Sequence, residues 1–335
     1  MRNYLLGCDW GTSSFRLRLI NTPNLDLVGE VTSSEGVAST FNAWKNHGET
    51  SGISREHFFR QHLKRQIDNL SEKVGINLDT ISIVISGMAS SSIGMDEVPY
   101  ATLPFPVDGS QASVRRIDAQ NGFPHDITLI SGVRTTHDVM RGEETQLIGV
   151  LALLETARTR IDDAILIVPG THSKHIYIQN HQVTDFQTFM TGEVFNLMSH
   201  YSILKDSVEP ANLITLSTDE LDGFKLGLKE AMATSTLTSL FRVRTNQLFD
   251  LLTKKQNTLY LSGLLIGAEL KSLIDKKDWP LILCSGTNLY ELYKLAMEEL
   301  NLSERTITVP PDLNDKATIA GQVKVIQGQL LPVNK

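Results

Sequence analysis

The sequence predicts an α/β protein built of two domains. Three observations carry this: the length of the chain, strand and helix patterns that alternate along it, and a short supersecondary unit that occurs twice. At 335 residues the chain exceeds what one core usually organises, so it is expected to split.

The repeated unit starts almost at once. Tyr4 to Cys8 is an apolar run, and Phe15, Leu17 and Leu19 alternate with Arg16 and Arg18 after Gly11 to Ser14. Alternation at period two marks a half-buried strand, so "GTSS" is expected at the tip of a β-hairpin. Small polar residues fill many turns, and one copy would say no more than that. The second copy, "AILIVPGTHSKHIYI" over 164–178, places Gly170, Thr171, His172 and Ser173 between an apolar strand and an alternating one. Each copy continues through a polar turn, near Asn24 and at Asn180-His181, into a third strand, "LVGEV" from Leu27 and "VTDFQTF" from Val183. Duplication of such a whole unit goes well beyond the chance likeness of two short motifs. Exposed turn amides and hydroxyls are donors without fixed negative charge, so two facing corners of this kind read as the jaws of a phosphate clamp in a nucleotide site.

The bulk properties agree. Hydrophobic residues make up 41% and charged residues 21%, ordinary for a globular protein, and the formal charge of −7 argues against nucleic acid as a partner. Cys8 and Cys284 both lie in apolar strand contexts, so buried free thiols are expected rather than a disulfide, which suits the cytoplasm. No segment reads as a signal peptide, and no apolar run approaches the ~20 residues of a membrane span.

Between the two copies the pattern alternates. A helix is expected from Ser54 as N-cap through Phe58, Leu63, Ile67 and Leu70 to Gly75 as C-cap, then a strand, "TISIVISGM". A loop rich in small residues and proline leads to the strand "ITLISGV", and the spacing of Leu147, Ile148, Leu151 and Leu154 predicts a helix from about Glu143. After the second copy the chain reads as helical between Gly192 and Lys276. It closes with the strand "PLILCSG", the helix "NLYELYKLAMEELN", the strand "TITVP" and a helix beginning near Asn314. The domain boundary is placed at Arg141, giving 1–140 and 141–335, with the last helix packing back on the first domain.

Two β-β-β-α-β-α units that each open with a phosphate-binding hairpin resemble the ribonuclease H-like domains of the actin, sugar kinase and Hsp70 superfamily. Within it, "DWGTSSFRLRL", "SGMASSSIGM", "DVMRGEETQLIG", "PGTHSKHIYI", "FQTFMTGEVFNLMSHYSIL" and "GLLIGAEL" resemble the 2-dehydro-3-deoxygalactonokinase family, over Asp9 to Leu270. One departure follows Met88, where Ala89-Ser90-Ser91 and Met95 replace the family's Gly-Ser pair and later tryptophan. The resemblance implies an actin-like ATPase fold with an interdomain cleft, the first domain on the sugar-acid side and the second on the nucleotide side. It also implies ATP-dependent phosphorylation of the 6-hydroxyl of 2-dehydro-3-deoxy-D-galactonate, with Mg²⁺.

The same resemblance distributes roles. Gly11, Thr12 and Ser13 on one corner, with Gly170, Thr171, Ser173 and Lys174 on the other, would hold the ATP phosphates. Asp9 would hold Mg²⁺ through water, since Mg²⁺ keeps much of its shell and favours one or two carboxylates plus phosphate. The second copy has Val168 at the matching place, so turn capping alone does not account for Asp9. Gly142 and two glutamates open a helix, where its N-terminus favours an ionised carboxylate. Likeness to the Gly-Asp-Gln stretch of glycerol-kinase-like enzymes makes Glu143 the general base, with Glu144 as its competitor. Arg141 and Arg16 are the candidates for the substrate carboxylate, Ser91 and Ser92 for its hydroxyls, and Glu193 for closing the pocket. Gly286 and Thr287 would take the adenosine. His137 and His172 lack partners at metal-ligand spacing.

Other readings of the same fold are a kinase for another sugar or sugar acid, an actin-like or chaperone-like ATPase, and a phosphatase acting on polyphosphate or nucleotides. The length leaves little room for a peptide-binding domain or polymer-forming insertions. A small-molecule sugar acid is the expected partner, with a homodimer as the one protein assembly left open.

Overall fold

Strand β1 (Tyr4–Trp10) turns at Gly11 to Ser14 into β2 (Phe15–Asn21), with Asp9 opposite Arg16 and Trp10 opposite Phe15, as the alternation predicts. The structure, a computed structural model, describes residues 4–157, 159, 161–210 and 216–330. The described residues up to Asp162, with Asn180–Asp185 and those from Asp312 on, form one compact unit; Asp163–Gln179 and Phe186–Pro311 form the other.

In the first unit β3 (Asp26–Ser33) completes the antiparallel hairpin series. Helix α1 (Arg55–Val74) begins where the Ser54 hydroxyl accepts from the His57 N–H and ends at Gly75, whose φ of 66° is the left-handed cap that glycine favours. Strands β4 (Ile83–Gly87), β5 (Val114–Ile117) and β6 (Ile127–Ile130) give the sheet order β3-β2-β1-β4-β6-β5, with β1, β4 and β6 parallel. The edge strand β5 has the half-polar sequence VRRI and was not expected from the pattern. Phe59, Leu63, Ile67 and Leu70 of α1 pack with Trp10, Phe15 and Leu17 in a fully buried core. Helix α2 (Glu143–Thr156) follows.

The second unit repeats the plan with β7 (Ala164–Val168), β8 (Ser173–Gln179) and β9 (Gln182–Phe189), the last of which starts in the first unit. Helices α3 (Thr191–Tyr201), α4 (Thr218–Ala233), α5 (Thr236–Leu248) and α6 (Lys254–Ile274) intervene before β10 (Leu281–Cys284), α7 (Thr287–Glu299) and β11 (Thr306–Val309). The order is β9-β8-β7-β10-β11, with β7, β10 and β11 parallel and the two-residue strand Phe105–Pro106 paired antiparallel to the start of β9 as a sixth, edge strand. Both sheets therefore carry three antiparallel strands followed by two parallel ones, the ribonuclease H-like order of the actin-like fold.

Helix α8 (Pro311–Leu330) returns to the first unit. Its Gln322 Nε2 donates to the Cys8 carbonyl (2.8 Å) and the Ser86 hydroxyl (2.9 Å). It also crosses α2 at backbone contact: a methyl on Gly149 would overlap the Ala317 carbonyl, and one on Gly321 the Thr145 carbonyl. That crossing keeps α2 in the first unit, so the cut between compact units falls later than the Arg141 boundary read from the sequence.

Glycine contact recurs in the second unit, where Gly227 of α4 lies against the Tyr260 carbonyl of α6 and Gly263 of α6 against the Phe224 carbonyl. Overpacking of this kind costs about 1–3 kcal/mol. Gly149→Ala and Gly227→Ala should therefore each lower the denaturation midpoint measurably. Gly286→Ala is the control, since nothing lies within 4 Å of its would-be Cβ and its φ is −70°. Equal midpoints for all three would remove the packing explanation.

Candidate active site

At the first corner the Gly11 N–H closes on the Ser14 carbonyl (2.9 Å), leaving Thr12 and Ser13 exposed at the tip. The outer side of the turn is sealed by the short helix Val37–Ala43. Val37 N–H donates to the Gly11 carbonyl (2.9 Å) and Ala38 N–H to that of Thr12 (3.1 Å). Gly36 makes this approach feasible, because a Cβ there would sit 2.6 Å from Ser13 Cα. The sequence reading missed Gly36, whose only signal is a glycine in a polar stretch.

Asp9 lies half-buried near the end of β1, and burial raises its pKa; Arg16 and Arg18 oppose the shift and Glu143 adds to it. Beside it, Gly87 ends β4 at φ 90° and Gly142 opens α2 at φ 109°, backbone that side chains rarely adopt. A Cβ on Gly87 would lie 3.5 Å from Asp9 Oδ1, and one on Gly142 would lie 3.5 Å from Gly87 Cα. Two glycines thus let the start of α2 reach the end of the sheet, and Glu143 comes into electrostatic range of Asp9.

The two glutamates divide sharply. Glu144 is buried, its carboxylate accepting from Gly142 N–H (2.7 Å) and the Thr145 hydroxyl (2.8 Å). Burial, with Glu143 adding to it, outweighs these bonds and pushes its pKa up to about 7. Glu143 is half-buried and accepts from Arg141 N–H at 2.9 Å.

Arg141 reaches the loop after β4, donating from Nη1 to the Ser90 carbonyl (2.7 Å) and hydroxyl (2.5 Å), with its guanidinium 4.2 Å from the Tyr100 ring centroid. Its Nε is buried with no hydrogen-bond partner among the described residues. Ser90 and Tyr100, which the sequence reading did not single out, hold this arginine. Ser91 is buried with its hydroxyl on the Met88 carbonyl (2.7 Å), while Ser92 is exposed and its carbonyl accepts from Arg55 (2.7 Å). Arg16 sits beside Asp9 on the sheet surface and pairs with Glu30 (3.8 Å) and Asp315 (3.6 Å).

The second corner has the same construction. Gly170 N–H reaches the Ser173 hydroxyl (3.2 Å), and Thr171 and His172 are exposed. Here α3 seals the outer side: Glu193 N–H donates to the Thr171 carbonyl (3.0 Å), and a Cβ on Gly192 would sit 2.6 Å from the Gly170 carbonyl. The Glu193 carboxylate pairs with His172 Nε2 within this corner. Ser173 is fully buried, and Lys174 is buried with Nζ on the His172 carbonyl (3.3 Å). A small apolar pocket of about 90 Å³ opens beside Gly170, lined by Phe195, Leu265, Ile266, Leu289 and Tyr293 among others. Gly286 and Thr287 are exposed at the start of α7, outside that lining. No cluster of three metal-ligating side chains occurs among the described residues, and both cysteines are buried and outside any disulfide.

The Glu144 carboxyl gives a pH test. Its folded pKa of about 7 lies above the ordinary 4.5, so its contribution to stability is complete below about pH 4.5 and is lost as pH rises through about 7. Glu144→Gln cannot titrate and should show a smaller fall in Tm between about pH 5 and about pH 8 than the wild type. Calorimetric scans at the two pH values decide it, and an equal fall would mean that this carboxyl is not perturbed.

A family model described as 2-keto-3-deoxy-galactonokinase matches residues 9–325. The 2-dehydro-3-deoxygalactonokinase of Escherichia coli K12 is 33% identical over 227 residues, covering 65% of this chain and 70% of that protein. A Rhizobium meliloti strain 1021 protein to which the same activity is attributed is 29% identical over 328 residues, 95% of each chain. The crystal structure of a Sinorhizobium meliloti protein, likewise attributed, superposes with a TM-score of 0.75 at 27% identity, covering 98% of this chain and 100% of that one. With the repeated sheet order and the glycine-opened α2 in place, the extent of the match settles the assignment: the chain belongs to the 2-keto-3-deoxy-galactonokinase family of sugar-acid kinases.

Proposed function

We infer that this protein transfers the γ-phosphoryl group of ATP to the 6-hydroxyl of 2-dehydro-3-deoxygalactonate. The match to the family over residues 9–325 carries this reading, and the geometry of the first unit supports it. Phosphoryl transfer asks a protein mainly to position groups and neutralise charge. Glu143 is the carboxylate at the start of α2 that is not buried, so it takes the hydroxyl proton, while Glu144 is held inside the turn. Arg141 receives the substrate carboxylate: its Nη1 is anchored on Ser90, and the buried Nε still lacks an acceptor among the described residues.

Asp9 and Glu143 repel one another, as the Glu143 contribution to the Asp9 pKa shows. A divalent cation relieves that repulsion, and one carboxylate with phosphate oxygens suits Mg²⁺ better than an all-protein cage. Mg²⁺, when bound, neutralises phosphate charge, and Asp9 would hold it through water. Thr12 and Ser13 at the tip of the first corner supply donors suited to phosphate, and Thr171 with its neighbouring amides supplies donors of the same kind at the second. The apolar pocket beside Gly170 fits the adenine face better than Gly286 and Thr287 do.

ATP turnover should depend on 2-dehydro-3-deoxygalactonate or its gluconate epimer, and product phosphorus NMR should show a primary phosphate ester. Turnover that is indifferent to any such acid would favour an ATPase or phosphatase. Glu143→Gln should cut kcat by about 10²- to 10⁴-fold with substrate affinity largely kept, and Glu144→Gln should cost much less. The reverse ranking would move the base by one residue. Asp9→Asn should lower turnover and raise the Mg²⁺ concentration needed for half-maximal rate; a normal Mg²⁺ response would reduce Asp9 to a structural residue.

A further inference from the structure

Beneath the second corner lies a buried carboxylate with no part in the scheme above. Glu269 of α6 is 2% exposed, inside the apolar run "GLLIGAEL". Burying a charge there is costly unless its oxygens are well supplied with donors. Three side chains supply them: the Thr191 hydroxyl from the start of α3, the Tyr293 hydroxyl from α7 at 2.7 Å, and His175 Nε2 from β8 at 3.2 Å.

The order of protons follows from what each group can do. An ionised carboxylate only accepts, so Tyr293 keeps its single hydroxyl proton and directs it at Glu269. Tyr293 oxygen is then an acceptor towards Ser173, whose Oγ stands 3.3 Å from it and 3.4 Å from the Gly170 carbonyl. With its proton turned inward, Ser173 offers lone pairs to the Gly170 N–H at 3.2 Å. A polarised chain therefore runs from the Gly170 peptide through Ser173 and Tyr293 to Glu269. Thr191 ties the first residue of α3 to the same carboxylate, and α3 in turn caps the corner through Glu193 N–H and Gly192.

We propose that Glu269 is a positioning residue for the nucleotide. By fixing the direction of every proton in this chain it holds the Gly170 peptide and the start of α3 in one arrangement, which leaves the Thr171 hydroxyl and the tip amides turned outward to phosphate. The proposal rests on the phosphate role of that corner given above. A neutral amide in place of the carboxylate keeps one acceptor oxygen where there were two and removes the charge. Thr191 and Tyr293, which share one oxygen, and His175, which uses the other, can then no longer all donate to it, and the chain up to the Gly170 peptide is loosened.

The test is Glu269→Gln in the full chain, titrated calorimetrically with a non-hydrolysable ATP analogue and Mg²⁺, and followed by amide hydrogen exchange without ligand. Nucleotide affinity should fall about tenfold or more, the scale of losing a hydrogen bond to a charged group. The KM for the sugar acid should stay within about twofold, and the Gly170 amide should exchange faster. Tyr293→Phe should act in the same direction, and the double variant should lose no more than Glu269→Gln alone. If Glu269→Gln does not fold, Tyr293→Phe decides: wild-type affinity and exchange in it overturn the proposal. Thr171→Ala with unchanged affinity would remove the phosphate role of the corner. Unchanged affinity and Gly170 exchange in Glu269→Gln, with Thr171→Ala impaired, would overturn the role of Glu269 alone.

Discussion

Where α2 crosses α8, the Gly149 and Gly321 backbones press against carbonyl oxygens of the partner helix, and no side chain larger than hydrogen fits. The position of Glu143 depends on this crossing, because α2 is a rigid rod and its first turn goes where its middle is clamped. The same rod is steered at its other end by Gly142 against Gly87. The acidic end of α2 is therefore held by backbone contact at two levels. Backbone contact has few alternative arrangements, unlike a contact between flexible side chains, so the first turn of α2 is held in a narrow range of positions.

Each corner is closed by a glycine and a helix start that arrive from elsewhere in the chain, Gly36 with Val37–Ala43 in one unit and Gly192 with α3 in the other. The duplication is therefore deeper than the strands: it includes the lid on the turn. What differs is the source of negative charge. The first corner has Asp9 on its own strand, half-buried; the second has Glu269 brought in by a helix, accepting hydrogen bonds inside the unit. One unit thus has its carboxylate on the strand that enters the corner, and the other has it on a helix that packs beneath the corner.

How much of this was legible in the sequence depended on the range of the interaction. The hairpins, the Ser54 and Gly75 caps and the helix start at Gly142-Glu143 follow from period and local turn chemistry, so the residues that specify them are neighbours. Gly36, Ser90, Tyr100 and Glu269 act on groups far along the chain, and each looks ordinary where it stands. Lys174 shows the limit clearly. Read from the sequence as a phosphate ligand, with an ordinary surface lysine as the alternative, it lies on a strand buried on both sides and its Nζ donates to the His172 carbonyl. The cut between compact units falls later than Arg141 for the same reason, since the glycines that pack α2 against α8 are some 170 residues apart.

The return of α8 to the first unit also bears on the order in which the protein can be assembled during synthesis. Cys8 and Ser86 receive their hydrogen bonds from Gln322, after the whole second unit has been made. At roughly 5–20 residues per second, the stretch between α2 and α8 takes on the order of ten to thirty seconds to emerge. By the end of that interval the second unit has nearly all of its own sequence, whereas the first, though begun earlier, still lacks α8, whose Gln322 bonds to its central strands. The half of the molecule translated first is thus completed last, and it spends that time with one face of its sheet exposed to chaperones or to other nascent chains.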